Sequence, residues 1–348
     1  MNCPRIILPL LCTLALTAPP SVPEGQKPAA PAQQEDVPAR IKVSTNLVIV
    51  PVTVKDSEGR LVVDLRKEEF RILEDDIEQN VDVFSNDPFP LSLVVLVDSD
   101  LKKDMAQQVE SSLPAIVGGL SEKDEAFVCR FDLNLHEGKG FTRDSDKLMT
   151  ELKRLRLDSE PAGMGPGGAF SGGPTLNGQP APGSPQEQPS AKILKGRRSK
   201  ALDDAMYEAA ELLHGRGRDR RKMILLISDG ENVKKYKYSF DDAVKKLQES
   251  DISVFSVGVG SAFLNRKFTP LSKYAHATGG DVYYVVKRDS IEELYSRVTE
   301  EARNQYTLAY TSRGTDRTID YHSIEVRVKR PGLTILTRYG YYIGAPTP

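Results

Sequence analysis

Two segments of this chain are apolar at every position and then end on an acid: Leu93 to Val97 before Asp98-Ser99-Asp100, and Met223 to Ile227 before Ser228-Asp229-Gly230. A strand with no polar face must be covered on both sides, as in a parallel sheet between helices. Around these runs, strand and helix patterns alternate. Met105, Val109, Leu113, Ile116, Val117 and Leu120 follow a helical period, Ala126–Phe131 reads as a strand, and Leu148, Leu152 and Leu155 mark another helix. Further on come a helix carrying Leu202, Met206, Ala209 and Leu213, and one opening at Ser239 with Asp242 three positions later. A strand over Ile252–Val257 follows, then a helix closed by Gly279-Gly280 and a strand over Val282–Val286. Ser290 and Glu293 form a capping-box pattern for a last helix reaching about Arg303. The alternation predicts an α/β fold with a doubly wound, mainly parallel sheet over residues 89–303.

Both ends of the chain have a different rhythm. Leu47–Val54, Phe70–Glu74 and Gln79–Phe84 read as strands, the first two separated by the turn Asp56-Ser57-Glu58-Gly59. Near the far end Tyr306–Tyr310, His322–Val328 and Leu333–Tyr339 do likewise. Isolated hairpins are marginal in water, so neither group makes a stable sheet alone. One all-β sandwich built from residues 41–88 together with 304–343 is the economical solution.

Two stretches fit no packed element. Residues 19–40 hold six prolines in 22 positions and read as a Pro-rich linker. Residues 158–190 hold eight glycines and seven prolines in 33 positions and read as a disordered insertion. Residues 1–18, with Arg5 ahead of the apolar run Ile6–Leu16 and small residues after it, read as a secretory signal peptide. An exported protein is expected, periplasmic, cell-surface or secreted, with no integral membrane span in the mature chain. Cys3 and Cys12 leave with the signal, so Cys129 remains as a buried structural thiol and no internal disulfide is available. A formal net charge of −2 gives no electrostatic footprint for nucleic acid.

The order of these elements resembles a von Willebrand factor type A domain. The strings Leu-Leu-Ile-Ser-Asp-Gly (225–230) and Val-Phe-Ser-Val-Gly-Val-Gly (254–260) are its most specific part. Flanking segments, Val50–Asp56 with Phe70–Asp75 before the domain and His322–Val326 with Arg338–Tyr341 after it, resemble the exported von Willebrand factor A-related proteins of Acidobacteria. The resemblance implies a metal-ion-dependent adhesion site: Asp-x-Ser-x-Ser after the first strand, a Thr from a second loop and an Asp from a third. Hard oxygen ligands of this kind suit Mg²⁺ and leave a coordination position for a partner's carboxylate.

Matched residue by residue, Asp98 and Asp229 stand at the family's two Asp positions. Asp100 replaces the first Ser, Lys102 the second, and Lys200 the Thr. An ammonium has donors and no lone pair, so it cannot coordinate a cation. Three clustered aspartates without a cation repel one another by several kcal/mol per close pair at an effective dielectric of about 20. Either Lys102 and Lys200 neutralise them as an internal ion-pair cluster, or the lysines point to solvent and the site is a vestige. A third reading keeps Mg²⁺ on Asp98, Asp100 and Asp229, with Ser99 or Ser199 adding a hydroxyl.

Enzyme motifs are missing. His136, His214, His276 and His322 are scattered and read as surface or helix-end histidines, and no Gly-x-Ser-x-Gly elbow occurs. Asp203 and Asp204 near a helix start read as structural. The loop Lys234-Lys235-Tyr236-Lys237-Tyr238 should rim the face that carries Asp98, either as an exposed turn or as a contact surface. The expectation is therefore a non-enzymatic protein-interaction or adhesion module without a cofactor. It would bind a protein partner through Asp98, Ser99, Asp100, Lys102, Lys200, Asp229 and Tyr236. The alternatives are a divalent-cation-dependent adhesion or assembly factor and, less favoured, a hydrolase.

Overall fold

In the computed structural model the described residues are 47–157, 175–176, 179–180, 200–217, 219–232, 237–265, 269–285, 291–312 and 320–342. The expected signal peptide, the Pro-rich linker and nearly all of the 158–190 insertion lie outside them. Within that insertion, only β8 (Thr175–Leu176) and β9 (Gln179–Pro180) are described, as an antiparallel pair.

The two acid-ended runs form adjacent strands. β5 (Leu91–Asp98) and β10 (Arg221–Ser228) pair in parallel, Val94 opposite Ile224 and Val97 opposite Ile227, so both chains deliver their acids at the same edge of the sheet. β11 (Ile252–Gly258) and β12 (Val282–Tyr284) extend the sheet on one side, β6 (Glu125–Phe131) and β7 (Leu135–Glu137) on the other, in the order β12-β11-β10-β5-β6-β7. All neighbours are parallel except β7, which turns back on β6.

Alternate residues of each strand serve opposite faces, as the pleat requires. Leu93, Val95, Val97, Leu225 and Ile227 pack under helices α1 (Lys103–Ser112), α2 (Ala115–Gly118), α3 (Ser145–Arg154) and α7 (Ile291–Arg303). Val94, Leu96, Ile224 and Leu226 pack under α4 (Leu202–His214), α5 (Phe240–Glu249) and α6 (Pro270–Thr278). This is the doubly wound α/β layer expected from the pattern. The helix expected over Met105–Leu120 is in fact two. Leu113 closes α1, and Pro114, which has no N–H to donate, sits between it and α2. The capping box at Ser239 and Asp242 forms, and Gly279 closes α6 at φ 78°, where an added Cβ would sit 2.7 Å from the Arg338 backbone nitrogen.

Both chain ends meet in a sandwich of two antiparallel sheets, β15-β1-β13-β4 and β16-β14-β2-β3. The first contains β1 (Leu47–Lys55), β4 (Val83–Ser85), β13 (Tyr306–Thr311) and β15 (Thr334–Thr337). The second contains β2 (Phe70–Glu74), β3 (Ile77–Gln79), β14 (Tyr321–Val328) and β16 (Gly340–Tyr342). Val50, Val52, Phe70, Ile72, Tyr306, Leu308, Ile324 and Val326 fill the space between them. Two single strands expected from alternation are split. Gln79–Phe84 breaks into β3 and β4, one in each sheet, and Leu333–Tyr339 ends at Thr337 before the chain crosses to β16. Alternation reports which side of a strand is buried, and it reads the same when the chain changes sheet. Among the described residues no helix is long and apolar enough to cross a membrane.

Candidate functional site

At the carboxyl end of β5 the chain bends because the Ser99 N–H and hydroxyl both donate to the Phe131 carbonyl at the end of β6, at 2.9 and 2.8 Å. That bend leaves Asp98 pointing into the sheet edge with no exposure at all. Its Oδ1 accepts the Asp100 N–H at 2.9 Å, and its Oδ2 accepts the Ser228 hydroxyl at 2.7 Å. Oδ2 also accepts a third donor, the Lys200 ammonium, at 2.8 Å.

Lys200 precedes α4 and is held in place by its neighbours. The Ala201 N–H donates to the Asp132 carbonyl at 2.8 Å, and the Leu202 N–H to Asn232 Oδ1 at 2.9 Å. Its side chain is 2% exposed. Besides Asp98, Nζ donates to Asp229 Oδ1 at 2.8 Å and to the Asp100 carbonyl at 3.2 Å, so its three protons have three acceptors. Asp229 also takes the Glu231 N–H at 3.0 Å, and the turn beyond it uses Gly230 at φ 77°.

Burial pushes the Asp98 carboxyl above the usual carboxylate range; Lys200 pulls it back down, and the charge of Asp229 adds to the upward push. Burial alone would lower the Lys200 ammonium, but Asp98 and Asp229 together hold it above the ordinary lysine value. Lys200 is therefore a charged ammonium at neutral pH. It stands between Asp98 and Asp229, the two carboxylates that the resemblance implies as acidic ligands. A divalent cation bridging Asp98 and Asp229 would need the space that Nζ fills, and Lys200 brings no lone pair to it. The donor set here does not fit a metal ion. Among the described residues, no group of three or more His, Cys, Asp and Glu side chains has the arrangement to hold one.

The residues singled out in the sequence do not all converge. Asp98, Lys200, Asp229 and the main chain of Asp100 come together, while Ser99 is spent on the bend. Lys102 does not join them. It occupies the N-cap of α1 with an extended backbone and an exposed side chain, so neutralisation falls to one lysine rather than two. Tyr236 lies outside the described residues. Sequence reasoning missed Ser228, though it directly precedes Asp229, and Asn232. Asp203 and Asp204 do more than meet a helix end. Asp204 accepts the N–H groups of Lys237 and Tyr238 at 3.0 and 2.8 Å and thereby holds the backbone just ahead of α5, while Asp203 accepts the Tyr274 hydroxyl at 2.7 Å. Tyr238 then stacks on Tyr207 with ring centroids 3.7 Å apart.

The histidines stay dispersed, each with its own partner: His136 with Asp132, His214 with Ser250, His276 with Tyr339 and His322 with Asp75. His322 departs from the expected surface placement. It is 1% exposed, because its position in β14 faces the other sheet.

Residues 191–297 match the family model of the von Willebrand factor type A domain. The chain is similar in structure to BatB from Bacteroides thetaiotaomicron, at 15% identity and a TM-score of 0.42, over 61% of this chain and 98% of that one. It is similar to proximal thread matrix protein 1 of the mussel byssus, in a structure described as having a zinc-occupied MIDAS motif, at 13% identity and a TM-score of 0.42. That match covers 67% of this chain and 50% of the mussel chain. A von Willebrand factor type A protein from Catenulispora acidiphila aligns at 9% identity and a TM-score of 0.43, over 85% of this chain and 75% of that one. Comparison with curated protein sequences finds no match.

Proposed function

We propose that this chain is an exported, non-enzymatic interaction module whose adhesion-type site is degenerate and works without a metal ion. One observation carries the reading: the Lys200 ammonium lies 2.8 Å from both Asp98 and Asp229, with all three donors used. A built-in cation of this kind ties the ends of β5 and β10 to the start of α4 through Asp98, Asp229 and Lys200. It also removes the open coordination position through which a metal would take a partner's carboxylate. Partner contact then falls to the rim of the same face: the exposed Lys102 and Lys103 at the start of α1, and the Tyr207–Tyr238 stack beside Lys237. Aromatic rings flanked by charge suit a protein partner. Export rests on the N-terminal pattern of charge and apolar run.

The test is isothermal titration of the full chain, less its signal, with Mg²⁺ and Mn²⁺, beside the Lys200→Thr variant that restores the family's hydroxyl. Silence in the natural protein with saturable binding in Lys200→Thr is the expected result. Saturable binding in the natural protein that Asp98→Ala abolishes would overturn the proposal and restore a cation-dependent adhesion mechanism.

A further inference from the structure

Away from the candidate site, the sandwich and the α/β layer meet through a second buried charge cluster. Lys55, the last residue of β1, crosses from the sandwich and is 7% exposed. Its ammonium lies 2.5 Å from Asp281 Oδ2, 2.7 Å from Glu301 Oε2 and 3.0 Å from the Tyr283 hydroxyl. Asp281 directly precedes β12, Tyr283 lies within it, and Glu301 belongs to the last turn of α7. The Tyr283 hydroxyl donates in turn to Glu301 Oε2, so Lys55 reaches that oxygen both directly and through the phenol. From α7 itself the Arg297 guanidinium lies over the Tyr283 ring, 5.1 Å from its centroid. One ammonium thus faces two carboxylates at the junction.

Glu301 is the member worst served. It is 2% exposed, and while Oε2 takes two donors, Oε1 is buried with no hydrogen-bond partner. An ionised carboxylate with a bare buried oxygen is held at a cost that its neutral form escapes in large part. Burial pushes the Glu301 carboxyl up; Lys55 pulls it down, and the neighbouring Asp281 charge pushes it up again, with a net upward displacement. Tyr283 is held above the ordinary phenol value, first by burial and then by Glu301, and so remains a donor throughout.

We propose that Glu301 takes up its proton at a higher pH than an ordinary glutamate does, and that the junction between sandwich and α/β layer tightens as it does so. Protonation leaves Lys55 and Asp281 as a matched pair and removes the second buried negative charge. The sign follows from linkage. A carboxyl that holds its proton more firmly in the folded chain than in the unfolded one raises stability as pH falls through its folded value, and the gain levels off below the ordinary glutamate value of 4.5.

The experiment is a melting series of the full chain, less its signal, from about pH 8 down to the ordinary glutamate value of 4.5, run beside Glu301→Gln. Glutamine keeps the shape and is neutral at every pH, and the difference between the two proteins cancels other titrations. The natural protein should gain about 2–4 °C on Glu301→Gln over this range, starting below it at the alkaline end. Lys55→Met, which leaves two carboxylates without their ammonium, should steepen the gain. Parallel curves for the natural protein and Glu301→Gln, or a variant less stable at every pH, would overturn the inference. So would a Lys55→Met curve parallel to that of the natural protein.

Discussion

Replacing Lys200 with methionine keeps an unbranched side chain of similar reach and removes only the charge and its three donors. Asp98 and Asp229 each lie 2.8 Å from Nζ, so the two facing oxygens are no more than about 5.6 Å apart. At an effective dielectric of about 20, two unit charges at about 5.6 Å repel by ~3 kcal/mol. The lost charge-assisted hydrogen bonds add to this, in line with the ~3–5 kcal/mol typical of breaking a buried ion pair from one side. Folded domains have only ~5–15 kcal/mol in total, so the variant should remain folded at neutral pH with much of its margin gone. Urea unfolding followed by circular dichroism reads this directly. With a slope of about 3 kcal/mol per molar, the midpoint should fall by about 1 M or more while the slope is unchanged. Asp98 is already pushed up by burial, so acid should return its proton first and shrink the deficit. A loss under about 1 kcal/mol at neutral pH, or one equally large in mild acid, would refute the view that Lys200 neutralises a repelling pair.

Two further outcomes follow from the same structure. Asp204→Ala removes the acceptor for the Lys237 and Tyr238 N–H groups and should cost about 1–3 kcal/mol in chemical denaturation. It should also loosen the Tyr207–Tyr238 stack, read as faster amide exchange at Tyr238. Cys129 is fully buried in β6 and its thiol is pushed up to about 12 by burial, so a thiol-specific reagent should leave Cys129 unmodified in the folded protein at neutral pH and label it once the protein is unfolded.

Much of the architecture was legible because burial leaves a periodic trace in sequence. Runs such as Leu93–Val97 and Met223–Ile227, short and rich in β-branched residues, read as strands covered on both faces, and their acidic ends place Asp98 and Asp229 together once the strands pair in parallel. The same reasoning assigns both chain ends to one sandwich. Local signals such as Ser239 with Asp242, or Gly279 after α6, settle helix ends through backbone hydrogen bonds that span only a few residues. The pattern was silent where a choice is made by the whole fold. Alternation in Gln79–Phe84 holds equally for one strand or for two in different sheets, and only the room left beside β2 and β13 decides.

The chemistry divides along the same line. Sequence alone, through the resemblance, gave the expectation that lysines stand at two positions of hydroxyl ligands and that the usual cation set is broken. Which lysine reaches the aspartates was decided by tertiary structure. Lys102 begins a helix whose backbone turns its side chain outward, while Lys200 is drawn inward by the anchors at Ala201 and Leu202. Lys55, Asp281 and Glu301 left no trace as a cluster, because up to 246 positions separate residues that only sheet and helix packing bring within hydrogen-bond distance. Charge has no periodicity to read along a chain. Its partners are set by geometry, and geometry exists only after folding.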